Sequence, residues 1–485
     1  MRRALAFVVV AAWLALIAVL ARKHVVPESL APAPPPLTDL AASDEWFGLY
    51  KDGRKIGHAR RTVAPRDGGW IFTEESHVTL AMLGTSQAIA STLRAETDAN
   101  FALRTFAYTL VTPTATFTAT GTSDDRTLHV RYGPKGLEAD LAMALTEPIA
   151  LPATLRPRIL ADRPEPGARY AVPVFNPLTA RSEPMLIVVE AHERLQTASG
   201  PIDTLRIAEE HQSVKTRAWI DAEGGVVREE ALLGFTLERE PRVQALAAAG
   251  DVAPIDLVAA TAIPVDGALA APRRAVRVVL RVSGKGVAAI PDDPPRQTRA
   301  GDRLTITVER RPPHPVPLGD VPAGAVADAL AASPFIESDD AAIRAAAHDA
   351  TGGAADARLA AERLLHWVHG AVDKTPSVTV PSAREVLARR SGDCNEHAVL
   401  LAALARAAGI PARVVAGAVY ANDGFYYHAW NELWLGSWVS ADAVFDQLPA
   451  DATHVKLIEG GLERQMALMG VIGQLAFAVV EETSE

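Results

Sequence analysis

At 485 residues the chain exceeds what one ordinary hydrophobic core holds, and it should divide into about two to four domains. The composition is globular, 49% apolar and 22% charged, and the formal charge of −10 argues against nucleic-acid binding, which needs a clustered basic face. A single cysteine excludes an intramolecular disulfide and any cysteine-based zinc site.

The chain opens Met1-Arg2-Arg3 and stays apolar over residues 4–21, before Arg22-Lys23-His24. A run of that length can cross a bilayer core. A cleaved signal peptide, with Val19-Leu20-Ala21 at the cleavage site, is the alternative. The length of the run, and a basic residue directly after that site, favour a retained signal anchor over residues 1–24. Either reading exports the main body. The expectation is a single-pass protein of the cytoplasmic (inner) membrane with its body on the periplasmic, extracytoplasmic side. Residues 25–44 form a linker stiffened by Ala31-Pro-Ala-Pro-Pro-Pro36.

Residues 45–245 carry β patterning throughout. Trp46-Phe-Gly-Leu-Tyr50 and Lys55-Ile-Gly-His58 flank Asp52-Gly53, the composition of a tight hairpin turn. Asp67-Gly68-Gly69 and the stretch 221–225 mark further turns, so a large curved antiparallel sheet is expected. His58, His77, His192 and His211 are scattered along it and read as solvated strand faces. A smaller β segment, residues 246–316, has apolar strands over 276–282 and 304–308. Pro312-Pro313-His314-Pro315 leads from it into a last domain, residues 317–485.

That domain begins helical. Asp339-Asp340 caps a helix stopping at Gly352-Gly353, and residues 355–369 form a second, with Leu359, Leu364, Leu365 and Val368 inward. His366 and His369 lie one turn apart without a third ligand at metal spacing. Ser382-Ala-Arg-Glu385 has the form of a capping box opening a short helix. Asp393 then caps another, with Glu396 at the box position, that runs to Gly409. Cys394 falls in its first turn, where unpaired N–H groups favour a thiolate. There is no Walker A loop, no G-x-G-x-x-G after a strand, no G-x-S-x-G and no H-E-x-x-H, and no cofactor or metal is called for.

Strands over 412–420 and 425–435, separated by Asn422-Asp423-Gly424, precede Gly436-Ser437 and Trp438-Val-Ser-Ala-Asp442. A helix bearing the thiol and a hairpin bearing His428 and Asp442 supply nucleophile, base and orienting carboxylate. His397 is the alternative base and Asp446 the alternative carboxylate. Trp430 and Trp434 share the His428 face, as site walls or plain packing. The Cys394 backbone N–H is the default oxyanion donor. His428 and Asp442 share a sheet face only if the hairpin pairs residues whose numbers sum to an even value. A three-residue connection, Leu435-Gly436-Ser437, pairing Trp434 with Trp438, does this; a two-residue turn sends His428 to the other face unless a bulge compensates.

Ser391-Gly-Asp-Cys-Asn-Glu-His-Ala398, Tyr427-His-Ala-Trp-Asn-Glu432 and Trp438-Val-Ser-Ala-Asp442, in that order, resemble the transglutaminase-like superfamily. The resemblance covers about residues 354–445. It implies a papain-like α+β fold with a catalytic triad of Cys394, His428 and Asp442, behind mostly antiparallel β-domains and the N-terminal membrane helix. The family's usual Asp-Pro-Thr is Asp442-Ala443-Val444 here, so the orienting loop should differ locally. The region upstream also resembles bacterial envelope β-domains. The function this implies is a membrane-anchored extracytoplasmic cysteine enzyme acting on amide bonds of protein or peptide substrates, most simply a hydrolase. A crosslinking transglutaminase, or a non-enzymatic envelope assembly protein using the fold as scaffold, are the alternatives.

Overall fold

The computed structural model describes residues 40–485 except 125, 161–163, 198–199, 212–213, 248–253, 377 and 466–467. The apolar run 4–21, read as a membrane anchor, lies outside the described residues. Among those described, no helix is long and apolar enough to cross a membrane.

The protein is mostly β. Residues 43–239 build one 14-stranded antiparallel sheet from two meanders. Eight strands run from Ser43–Lys51 to Ala139–Ala144, six more from Arg169–Asn176 to Phe235–Arg239, and the first strand pairs with the last, Phe47 opposite Arg239. Asp52 and Gly53 both take positive φ (50° and 74°), which lets the first hairpin turn follow the twist of its strands. Along Thr127–Pro134, Leu128, Val130 and Tyr132 are buried while His129 and Arg131 face solvent, the period of two that a one-sided sheet requires. The sheet curls enough for Phe175 of the ninth strand to meet Phe106 of the fifth (ring centroids 5.4 Å) within a core of Phe72, Phe101, Phe117 and Leu128. His58 and His77 stack on neighbouring strands (4.9 Å) and His192 is exposed.

The five-stranded sheet that follows is completed by the far end of the chain. Ala476–Ser484 lies parallel to Val265–Asp266 and antiparallel to Ala275–Ser283, with Arg303–Thr307 and Gln297–Ala300 beyond. Its apolar residues Val278, Leu280 and Ile306 share one core with Ala416, Ala418, Tyr420 and Phe425. Residues 246–316 and 317–485 therefore interlock across the boundary drawn between them at 316/317.

The C-terminal unit sets helices Ala341–Thr351, Ala357–Ala371, Ala383–Arg389 and Cys394–Ala407 against a sheet ordered Trp438–Ala441, Gly424–Trp434, Ala412–Ala421, Val455–Glu459. Asp340 caps the first helix and Gly352 ends it in the left-handed conformation. Two local expectations are corrected. Leu359 is 37% exposed, because the buried stripe of its helix is Ala357, Ala360, Ala361, Leu364, Leu365 and Val368. Ser382 makes no capping bond: its hydroxyl donates to Glu337 Oε1 (2.6 Å), and Glu385 pairs with Arg389 instead.

Inside the large sheet, helix Pro152–Leu160 inserts Arg156 between Glu209 (2.9 and 3.1 Å) and Glu229 (3.2 Å), and Arg61 pairs with Glu229 (3.0 Å) and Glu74 (2.8 Å). Truncating Arg156 strands the buried Glu209 and leaves Glu229 to Arg61 alone, so Arg156→Ala should cost about 3–5 kcal/mol of stability in denaturant unfolding of the full chain. A loss below about 1 kcal/mol, the range of exposed pairs, would show that solvent reaches the cluster.

Candidate active site

The Cys394 helix is placed by its own first turn. Asp393 Oδ1 accepts the Asn395 N–H (2.9 Å), and Glu396 Oε2 accepts the Asp393 N–H (2.9 Å), a reciprocal capping box. Gly392 is required by this closure, since a Cβ there would lie 2.3 Å from the Glu396 Cβ. The helix is tied to the His428 strand by buried Asn431, whose Nδ2 donates to the carbonyls of Ala398 (2.9 Å) and Arg413 (3.3 Å). These contacts bring the half-buried Cys394 sulfur against the Ala429 N–H, one residue beyond His428. Cys394 and His428 line the same cavity, of about 600 Å³.

The hairpin takes the odd loop. Trp434 pairs with Trp438 and Asn431 with Ala441, and the Leu435 N–H closes on the Ser437 carbonyl (2.9 Å). His428 and Asp442 accordingly share a face, with His428 Nε2 2.7 Å from Asp442 Oδ2. Just beyond Ala443, which stands in place of the family's proline, the Val444 and Phe445 N–H groups donate to Asp442 Oδ1 (2.7 and 3.3 Å), so the departure at Ala443-Val444 leaves the carboxylate fully bonded. Phe445 lies beside the His428 ring (5.4 Å), and buried Trp430 stacks near it (6.2 Å, 19°). Trp434 instead packs on Trp438 (5.5 Å), away from the site.

The alternative residues are engaged elsewhere. His397 Nδ1 donates to the Asp393 carbonyl (2.7 Å), and burial lowers the pKa of its ring, so it is a neutral anchor for the helix turn even though it lines the cavity. Asp446 pairs with His366 Nδ1 (3.1 Å), and His369 Nδ1 donates to the Ala443 carbonyl (2.9 Å). The two histidines one turn apart thus brace the loop after Asp442.

One residue of the site escaped the sequence analysis. His454 is fully buried, with Nε2 2.9 Å from Asp442 Oδ2, and Nδ1 facing the Asp451 carbonyl (3.1 Å) and Asp451 Oδ1 (3.2 Å). Every partner of the ring is an acceptor, so both nitrogens must donate and the ring is an imidazolium. Burial would lower its pKa, but Asp442 and Asp451 outweigh that and raise it. The same pairing acts on the acids. Burial alone would raise Asp442, yet the facing His428 and His454 rings hold it well below the usual carboxylate range, and Asp451, also bound by Arg273 Nη1 at 3.0 Å, is lowered to about 2. Ligand atoms of His428, Asp442 and His454 lie within 4.8 Å of one another, a spacing that could hold a metal ion. Both Nε2 atoms are committed to Asp442, and a cation would have to displace both bonds. The only local signal for His454 is the Asp451-Ala-Thr-His454 run itself, which carries no periodicity.

The thiol differs from its expectation. Burial first, then the Asp393 carboxylate, push the Cys394 pKa well above its ordinary value, against a smaller opposing effect of the Ala429 N–H. Helix position alone does not make the thiolate here; it needs a proton acceptor beside it.

Residues 344–443 match the transglutaminase-like superfamily. No curated protein sequence matches the chain significantly. Among solved structures it is similar to a "putative cysteine protease" from Cytophaga hutchinsonii, with 18% identity, 43% of this chain and 87% of that one covered, and a TM-score of 0.28. It is also similar to a beta-barrel-like protein of a domain of unknown function from Brucella abortus, with 12% identity, 42% and 97% covered, and a TM-score of 0.34. A third, a "putative protease" from Parabacteroides distasonis, is 10% identical over 76% of this chain and 66% of that one, with a TM-score of 0.19.

Replacing His454 by Leu removes the cation between two buried carboxylates and should cost about 3–5 kcal/mol in denaturant unfolding near neutral pH. The sign with pH follows from the raised imidazole: its contribution is complete below the unfolded value of about 6.5 and is lost as pH rises through the folded value. The difference between wild type and His454→Leu should therefore shrink at alkaline pH; a gap that widens there would show that His454 is neutral. The stretch bearing Cys394, His428 and the first strands of this network, residues 344–443, is a transglutaminase-like domain.

Proposed function

We propose that the C-terminal unit is a cysteine enzyme that takes an acyl group from an amide of a protein or peptide substrate and passes it, through a thioester on Cys394, to water. The observation that carries this is the His428–Asp442 bond. Donation of Nε2–H to a buried carboxylate fixes the tautomer and leaves the Nδ1 lone pair for the cavity that Cys394 lines. His428 Nδ1 takes the thiol proton, and the thiolate attacks the amide carbon. The C–N bond breaks as the imidazolium returns that proton to the leaving amine. Water then gives a proton to His428 as its oxygen attacks the thioester; the C–S bond breaks, the carboxylic acid leaves and the sulfur regains its proton. The Cys394 N–H stands outside the Asp393 cap, which takes that of Asn395, and is our choice of oxyanion donor.

Burial and Asp393 raise the thiol pKa, and on this reading His428 supplies the reactivity at neutral pH. Alkylation of the full chain by iodoacetamide, which has one thiol to find, should slow by about 100-fold or more in His428→Ala at pH 7. Equal rates would remove His428 as base. With a labelled primary amine and a peptide pool present, acid product should dominate; amine product in excess at modest amine concentration makes the protein a crosslinker.

We also propose that residues 4–21 anchor the protein in the inner membrane with its body outside the cytoplasm. The support is the unbroken apolar run with basic flanks. N-terminal sequencing of the protein from its native membrane should begin at Met1 or Arg2; a start at or near Arg22 would make it a secreted protein.

A further inference from the structure

The cavity that Cys394 and His428 line has a wall from outside the transglutaminase-like domain. It is the tip of the hairpin joining Gly69–Met82 to Thr85–Asp98 in the large sheet, and both Met82 and Leu83 reach the cavity. Leu83 is 62% exposed and has a φ of 48°, a conformation that favours glycine or asparagine over a branched apolar residue. An exposed, backbone-strained leucine at a hairpin apex is poorly chosen for folding alone.

The tip is also fastened where it stands. The Ala81 N–H donates to the Ile255 carbonyl (2.9 Å) and the Gly84 N–H to Asp256 Oδ2 (2.7 Å). Asp256 Oδ1 in turn accepts from Val258 and Ala259 (3.0 and 3.2 Å). A few residues on, the Ile263 N–H donates to the Phe425 carbonyl (2.8 Å) on the strand that bears His428. Residues 255–263 thus strap the hairpin tip to the His428 strand. Phe445, Val444 and Val419 line the same cavity. Asp256 is bound by backbone N–H groups, so the Leu83 part of the lining is apolar, while the charged groups of the same cavity are Lys374 and Asp393.

We propose that Leu83 and Phe445 are the two sides of an acyl-donor subsite that takes a bulky apolar side chain next to the reacting carbonyl, so that the large β-sheet contributes substrate selection to the neighbouring thiol. This rests on Cys394 being the nucleophile. The substrate class it implies is an extended peptide segment carrying an aromatic or branched aliphatic residue at that position, not a charged one. Removing such a side chain from a well-fitted apolar pocket changes the specificity constant by about 10- to 200-fold.

The test uses the full chain and four chloromethyl ketones, acyl-Phe, acyl-Ala, acyl-Lys and acyl-Asp, which alkylate an active thiol whatever the natural substrate. Each inactivation rate is divided by the same variant's iodoacetamide rate, so that a change in the thiol itself cancels. The acyl-Phe reagent should exceed acyl-Ala by about tenfold or more. Leu83→Gly, which suits the positive φ, should reduce that preference to about twofold or less, and Leu83→Asp should turn it toward acyl-Lys. A wild-type rate independent of side chain, or a preference for phenylalanine that Leu83→Gly leaves intact, overturns the subsite. Failure of Cys394 as nucleophile reads differently, as iodoacetamide rates that are the same with and without His428.

Discussion

The Asp442 carboxylate is the constraint on which the rest of the site depends. It is wholly buried, and a bare carboxylate in that position would cost several kcal/mol or take up a proton. Four donors prevent this: two backbone N–H groups on Oδ1 and two imidazole Nε2 groups on Oδ2. Each donor comes from a different kind of constraint. The backbone pair comes from the turn that the Asp442–Gln447 bridge closes, His428 from the register of a hairpin, and His454 from the chain returning through the core. Because the carboxylate is satisfied only when all are in place, a shift in any one of them is resisted by the others.

The chain of charge does not stop at the domain boundary. Asp451, which holds the far side of His454, is bound by Arg273, and the Arg273 guanidinium also lies over Phe445 (4.1 Å). Arg273 lies two residues before Ala275–Ser283, the strand on which the C-terminal Ala476–Ser484 is laid, and the Ala452 N–H donates to the Ala275 carbonyl (2.8 Å). The order Arg273, Asp451, His454, Asp442, His428 alternates in sign whenever His428 is protonated. On the proposed mechanism an imidazolium forms at His428 as it takes the thiol proton, beside a carboxylate already hydrogen-bonded to it. The elevated thiol pKa is consistent with this division of labour. On the proposed mechanism the thiol stays protonated until His428 acts, and the network that holds His428 ends at Arg273, beside the five-stranded sheet.

Much of this was legible in the sequence, for reasons that separate short-range from long-range physics. The capping box at Asp393 and Glu396, the Asp52-Gly53 turn and the Gly352 stop are decided within a few residues, and they hold. So does the parity of the hairpin: period two requires an odd loop, or a compensating bulge, to bring His428 and Asp442 to the same face, and the odd loop is found. Ser382 and Leu359 failed where tertiary structure competes. Glu337, 45 residues earlier, takes the serine hydroxyl, and small alanines carry the helix packing that Leu359 was expected to share. His454 and the strand Ala476–Ser484 were silent because neither is announced locally. His454 reaches Asp442 by a change of chain direction with no periodic signature, and the last strand pairs with residues about two hundred positions away.

The large sheet is usefully seen through the same distinction between local and distant contacts. A neighbouring sheet can shape a cleft only if its position is set, and here two separate contacts set it. The strap over residues 255–263 is one. The other is Phe335, from the segment leading into the helices, which sits at a φ of 70° with its ring against Tyr132 (5.6 Å) and Phe117 (6.2 Å) inside the sheet's own core. Beside it the Ala383 N–H donates to the Phe335 carbonyl (2.9 Å), and the Arg384 guanidinium reaches the Leu137 carbonyl (3.3 Å). Phe335 therefore belongs to the core of one unit and, through its backbone, to the helix start of the other. Two attachments at separate points oppose rotation as well as separation, where a single linker would oppose neither. A hairpin tip held in this way can act as a fixed wall, and a fixed wall is what a subsite needs if it is to discriminate by shape instead of closing around whatever enters.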